Sequence, residues 1–258
     1  MIPEELLATY VGIPGKYEPS GTCVAWKPYY EDDHVTLYHG DSLALLDRLP
    51  TSDAIITDPP YSDNTHSNAK SNKGKGYGTK AINFAALDDP RELFALLAPK
   101  TRRWIVSNLD YKHAFLLDND PPEALRVLRV GVWVKTNPMP QISADRPATG
   151  WEAIAYMHRE DVNPHWNGGG KAGNYTLPLA QQTGHPTAKP LSMVADWVRL
   201  FTEPGDLVLD PFAGSGTTLR AAKDEGRKAI GVELEEKYCE IAARRLSQDV
   251  LDLEGLTA

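Results

Sequence analysis

Four consecutive residues, Asp58-Pro59-Pro60-Tyr61, set a carboxylate, two prolines and an aromatic ring at the end of the apolar run Ile55-Ile56-Thr57. Neither proline has a backbone N–H and each holds φ near −65°, so a strand arriving through Thr57 must stop in a stiff turn. The main-chain carbonyls of Asp58 and Pro59 are then left outside any regular ladder. A carboxylate beside a free carbonyl makes a pair of acceptors suited to an exocyclic amino group, which offers two N–H donors. Tyr61 adds a face on which a flat ring can stack. Such a site would hold a nucleobase by its amino nitrogen. The plainer alternative is a strand-ending turn with a capping aspartate and a surface tyrosine.

A second group begins at Leu207. It reads as a buried strand, an acidic turn (Asp210-Pro211-Phe212), a glycine loop (Gly214-Ser215-Gly216) and a helix start at Thr217. Glycines let the main chain approach a ligand where a Cβ would collide. Glu233 ends the following strand, 23 residues after Asp210, the spacing at which an acid at a strand tip accepts hydrogen bonds from ribose hydroxyls. The third glycine of a dinucleotide fingerprint is missing, and Asp210 would repel a pyrophosphate. An aspartate there suits a cofactor with an ammonium group, such as the amino-acid end of S-adenosylmethionine.

The elements that must position these residues alternate. Strands are expected over 35–38, 53–58, 104–107, 127–136, 153–158, 206–210 and 228–233, and helices over 42–49, 90–97, 111–117, 190–201, 217–225 and 235–246. That order predicts an α/β fold with a mostly parallel sheet and helices on both faces, the 127–158 pair forming an antiparallel edge. Residues 1–30 read as a proline- and glycine-punctuated lead-in, and 31–258 as one domain. Residues 62–83 have no apolar period and read as a mobile loop. There Lys70, Lys73, Lys75 and Lys80 outnumber the single acid Asp63, so the loop is either a phosphate contact or simply solvated. Residues 161–183 again read as irregular.

The formal charge of −8 and pI near 5.4 exclude a protein that coats nucleic acid with its whole surface, so any DNA contact must use a local basic patch. Cys23 and Cys239 are too few and too far apart for a disulfide scaffold or a zinc site, and no metal is expected. They fit a reducing cytoplasm. The start, with Pro3, Glu4 and Glu5, lacks the basic and apolar segments of a signal peptide, and no apolar run reaches the length of a membrane span.

With Asp58 to Tyr61, Asp210 to Gly216 and, just upstream of the latter, His185-Pro186-Thr187-Ala188-Lys189-Pro190, the chain resembles the permuted β group of DNA amino-methyltransferases, over about residues 35–247. It resembles small phage- or prophage-borne members more than large restriction-modification partners. The resemblance implies a Rossmann-like fold with a seven-stranded sheet and a reversed edge strand, S-adenosylmethionine as cofactor, and double-stranded DNA as partner. It also implies roles: Asp58, Pro59, Pro60 and Tyr61 in catalysis, Glu233 on the cofactor ribose, Asp41 near its adenine, and Thr187 and Lys189 toward its methionine end. Asp41 serves equally well as a helix cap, and Phe212 as core beneath the glycine loop. Aspartate at the first catalytic position is the group's usual mark of adenine-N6 methylation. Cytosine N4 or RNA as substrate, or a non-catalytic cofactor- or DNA-binding subunit, are the alternatives. The target base would have to leave the duplex, since its amino group is otherwise paired. The segment from about 159 to 184 is short for a recognition region, which implies a short or relaxed recognition sequence read by Lys70 to Lys80 and Arg159 to Lys171. Relatives in this group often dimerise, and a homodimer would supply further contacts. Whether a restriction enzyme accompanies the chain is open.

Overall fold

The computed structural model describes residues 27–60, 89–141, 145–180 and 188–248. Its strands are β1 (Tyr30–Glu31), β2 (Val35–His39), β3 (Ser52–Thr57), β4 (Thr101–Leu109), β5 (Leu125–Lys135), β6 (Trp151–Arg159), β7 (Asn174–Leu177), β8 (Leu207–Asp210) and β9 (Lys228–Glu233). Its helices are α1 (Ser42–Leu45), α2 (Pro90–Leu97), α3 (Tyr111–Asn119), α4 (Leu191–Phe201), α5 (Thr217–Asp224) and α6 (Glu236–Leu246). The strands form one sheet in the order β1-β2-β9-β8-β3-β4-β6-β5-β7.

Ala54, Ile55 and Ile56 are sealed on both sides of the sheet, as expected of a parallel strand roofed by helices on each face. On one face α4, α5 and α6 press Met193, Trp197, Leu219, Ala242 and Leu246 onto Ala54, Ile56 and Val208. On the other, Leu46, Phe94, Leu97, Ala114 and Leu117 pack onto Ile55, Ile105 and Leu209. The apolar side chains of α4 recur at helical spacing, which commits that face to the core.

β3 pairs in parallel with both β4 and β8. The chain therefore winds outward from β3 in two directions, and this reversal opens a crevice at the carboxyl ends of β3 and β8, where open α/β sheets bind ligands. Two features differ from the sequence expectation. The reversed strand β6 is interior, lying between β4 and β5 and antiparallel to both. Two short strands, β1 and β7, bring the described total to nine instead of seven. β7 falls inside the stretch read as irregular. Its alternation is only one period long: Tyr175 and Leu177 turn half-buried toward the core and Asn174 and Thr176 are exposed, and it is held by pairing with β5 over Val132 to Lys135. No described helix is long and apolar enough to cross a membrane.

Candidate active site

Asp58 stands one residue beyond β3, and Asp210 is the last residue of the neighbouring β8. Thr57 links them: its buried hydroxyl donates to Asp210 Oδ1 at 2.8 Å. Phe212 N donates to the same oxygen at 3.1 Å. Asp210 is only 3% exposed. Burial, and next to it the charge of Asp58, push its carboxyl up to about 7, and the hydrogen bonds from Thr57, Thr218 and Phe212 offset only part of that.

The glycine loop follows. Gly214 and Gly216 have φ of 52° and 76°, a region that strains any side chain. Gly216 also caps α5, and a Cβ there would lie 2.9 Å from that of Ala242. Glu233, at the tip of β9 and 5% exposed, accepts from Gly214 N at 2.8 Å and Glu235 N at 2.7 Å, one bond per carboxylate oxygen. Burial raises its pKa against those amides. Each oxygen keeps a lone pair, so the carboxylate can still accept from a diol. Arg245 braces the loop from α6, donating to the carbonyl of Ser215 at 2.6 Å and its hydroxyl at 3.1 Å. Ser215 is buried, and Phe212 packs half-buried on the opposite core from Ala213.

Asp41 is exposed and caps α1, its Oδ1 accepting from Leu43 N at 2.9 Å. It also lies beside the tip of β9, because Gly40 N bonds the carbonyl of Glu233 at 2.9 Å. Positive-φ glycines, a diol-accepting carboxylate and a buried acid on one crevice wall fit the sugar and amino-acid ends of S-adenosylmethionine.

On the other wall, Pro59 is buried and Pro60 half-buried, and the Asp58 side chain keeps 29% of its surface exposed. The Lys189 ammonium, 7% exposed, donates to Asp58 Oδ2. Pro190 starts α4 and keeps the residue before it extended, which aims Lys189 across the carboxyl edge of the sheet. Glu152 Oε2 lies 3.4 Å from the same ammonium, and Glu152 Oε1 lies 2.7 Å from Lys135 Nζ. Glu152 and Lys135 were missed by sequence reasoning. They sit in unremarkable strand ends, and only the β5–β6 register, which sets Trp133 opposite Glu152, brings them here. Burial lowers the Lys189 pKa, but Asp58 and Glu152 outweigh it and the net shift is upward. Asn108 is fully buried on β4, one position past the Thr57–Ser107 pair, and among the described residues neither atom of its amide has a partner.

Tyr61, Thr187 and the lysines of 62–83 lie outside the described residues. Arg159 ends β6 at the opposite edge of the sheet from Asp58 and pairs with Asp161 at 2.5 Å, while Lys171 pairs with Asp196 at 2.6 Å.

The family model described as DNA methylase (N6_N4_Mtase) matches residues 52–244. The Type II methyltransferase M2.LlaDCHI of Lactococcus lactis subsp. cremoris is 31% identical over 260 residues, spanning 88% of this chain and 95% of that one. M2.DpnII of Streptococcus pneumoniae is 30% identical over 261 residues, spanning 89% and 96%. Among solved structures, the M1.HpyAVI–SAM complex superposes with a TM-score of 0.61 at 28% identity, covering 82% of this chain and 99% of its own. The PvuII DNA methyltransferase (cytosine-N4-specific) shares the fold, with a TM-score of 0.66 at 18% identity over 90% and 93%.

Proposed function

Because the chain belongs to the DNA methylase family, we propose that the site at Asp58 methylates the N6 amino group of adenine in DNA. The protein is an S-adenosylmethionine-dependent DNA methyltransferase of α/β fold. The observation that carries the site assignment is the Thr57–Asp210 hydrogen bond. It supports the reading because it ties the residue before Asp58 to Asp210, beside which the glycine loop begins.

When bound, the cofactor supplies an electrophilic methyl group on a sulfonium sulfur. The chain's own residues then hold and align. Asp58 and the Pro59 carbonyl accept the two amino hydrogens, which draws the nitrogen lone pair out of conjugation with the ring. The lone pair is left facing the cofactor wall, and the positive charge that develops on nitrogen is met by the carboxylate. Pro60 stiffens the turn, and Tyr61 stacks on the extruded base, offsetting part of an unstacking cost on the order of a few kcal/mol. Gly214, Ser215 and Gly216 would let the main chain approach the cofactor, Glu233 would take its ribose, Asp210 would meet its ammonium, Phe212 would support the loop, and Asp41 would serve the adenine end. Lys189 stands at the entrance to α4, and the methionine end of the cofactor is assigned to it and to Thr187.

Recognition falls to residues 62–83 and to the insert of about 159–184. Within the insert, β7 ends at the carboxyl edge of the sheet, whereas Arg159 is at the far edge. Residues 31–258 act as one catalytic domain behind the 1–30 lead-in, in the cytoplasm, with a homodimer enlarging the DNA contact.

The test is incubation with unmethylated duplex DNA and methyl-labelled S-adenosylmethionine, digestion to nucleosides and mass spectrometry, with Asp58→Ala beside it. N6-methyladenine that vanishes in the variant supports the proposal. N4-methylcytosine overturns the base assignment, and bound cofactor without product on DNA or RNA overturns the enzyme reading.

A further inference from the structure

A buried ammonium needs counterions, because removing it from water costs far more than a single shared partner returns. Lys189 has two carboxylates within reach, Asp58 and Glu152. They are not equivalent. Asp58 is the more exposed, and in the proposed reaction it must also receive the hydrogens of the incoming amino group. Glu152 is 14% exposed, and its second oxygen is taken by Lys135, itself 13% exposed. The charges thus alternate along Asp58, Lys189, Glu152 and Lys135, and they come from the β3 tip, the α4 entrance, the β6 start and the β5 end.

We propose that Glu152 is a positioning residue for methyl transfer: anchored by Lys135, it holds the Lys189 ammonium in place, and Lys189 in turn fixes the orientation in which Asp58 accepts the target amino group. The inference rests on Asp58 being that acceptor. With Glu152 in place, the ammonium keeps a partner when the substrate competes for Asp58. Without it, Lys189 loses one of its carboxylate partners and leans more on Asp58, and that carboxylate is pulled toward the lysine.

A pH signature separates this role from a purely structural one. Among the described residues, the charged groups facing Lys189 are Asp58 and Glu152, with Lys135 behind Glu152 and Asp210 behind Asp58. Removing the Glu152 charge takes away one of the two carboxylates that keep Lys189 protonated, so the alkaline loss of activity moves to lower pH.

The experiment uses the full chain with Glu152→Gln, Glu152→Asp and Asp58→Ala, measuring kcat, KM for DNA, the cofactor Kd by calorimetry, thermal stability, and kcat against pH. For Glu152→Gln the expectation is a kcat lower by about 10- to 100-fold. Its cofactor Kd stays within about twofold, its alkaline limb falls by about one pH unit or more, and Glu152→Asp recovers part of the rate. A wild-type kcat and pH limb in Glu152→Gln overturns the inference. So does a rate loss matched by weaker cofactor binding, or, if Glu152→Gln does not fold, a folded Glu152→Asp with wild-type kcat and pH limb. A wild-type protein that binds cofactor but transfers no methyl group sinks the premise, and that result is read before any variant is compared.

Discussion

Glu233 and Asp210 are met by main-chain amides and hydroxyls, nearly all from residues 210–235, whereas Asp58 is met by an ammonium from residue 189 that residues 152 and 135 hold in turn. Main-chain donors are fixed by the fold and need no rearrangement as a ligand arrives. They suit a cofactor that binds in the same pose at every turnover. An ammonium on a four-carbon stem can yield, which suits a carboxylate that must exchange one partner for another during the reaction. In the proposed assignment, the cofactor wall is thus local and stiff, and the base wall is assembled from distant segments and adjustable.

Asp58→Ala should show the largest effect on this contrast: kcat lower by at least about 1,000-fold, with the cofactor Kd changed less than about threefold. Initial-rate assays and calorimetry would check this, and a collapse of cofactor binding would mean that the two walls are one unit. Asp210→Asn probes the other wall through stability. The folded carboxyl sits at about 7 against 3.8 for the free group, so the folded state holds the proton more tightly. Wild-type stability from this group is therefore present below about pH 4, falls as pH rises to about 7, and stays lost above it, by on the order of 4 kcal/mol. Asparagine keeps the oxygen that accepts from Thr57 and Phe212 and removes the buried charge. The variant should melt several degrees above wild type at pH 8 and converge with it toward pH 4. Denaturation at a series of pH values reads the difference directly, and a pH-independent gap would refute the assigned cause.

Gly216→Ala combines a left-handed φ with a close approach to Ala242 and should cost about 1–3 kcal/mol. Urea titration measures it, and cofactor affinity should fall with it, whereas a base-wall variant would leave that affinity alone. Asp41→Ala is the smallest. Loss of the α1 cap alone costs about 1 kcal/mol, and only a second role at the cofactor adenine would also weaken cofactor Kd. A calorimetric Kd equal to wild type would leave Asp41 as a cap.

The same contrast explains what could be read from the chain. The glycine loop, its aspartate and the spaced glutamate lie within one strand-helix-strand unit, so local rules reached them, as they reached the main helices and seven of the strands. Lys189 was visible only through resemblance. Glu152, Lys135 and Asn108 carry no local signal, and their place depends on β6 running backwards between β4 and β5. That insertion is a pairing decision over long separations, which periodicity does not encode. β7 was missed for a related reason: four residues directly after a glycine-rich run are too short for a periodic signal, and pairing with β5 makes them a strand.

The parallel pairing of β3 with β8 sets Ala54 against Val208 and Ile55 against Leu209. Seen from biosynthesis, this makes the middle of the sheet one of its last parts to close. A nascent chain that has emitted β3 carries an apolar strand whose second neighbour is more than a hundred residues from being made. Until β8 arrives, that edge is open to pairing with other chains, and misassembly should concentrate there. A chain arrested before β8 would carry Asp58 without Asp210 or the glycine loop, so methylating capacity arises late and all at once.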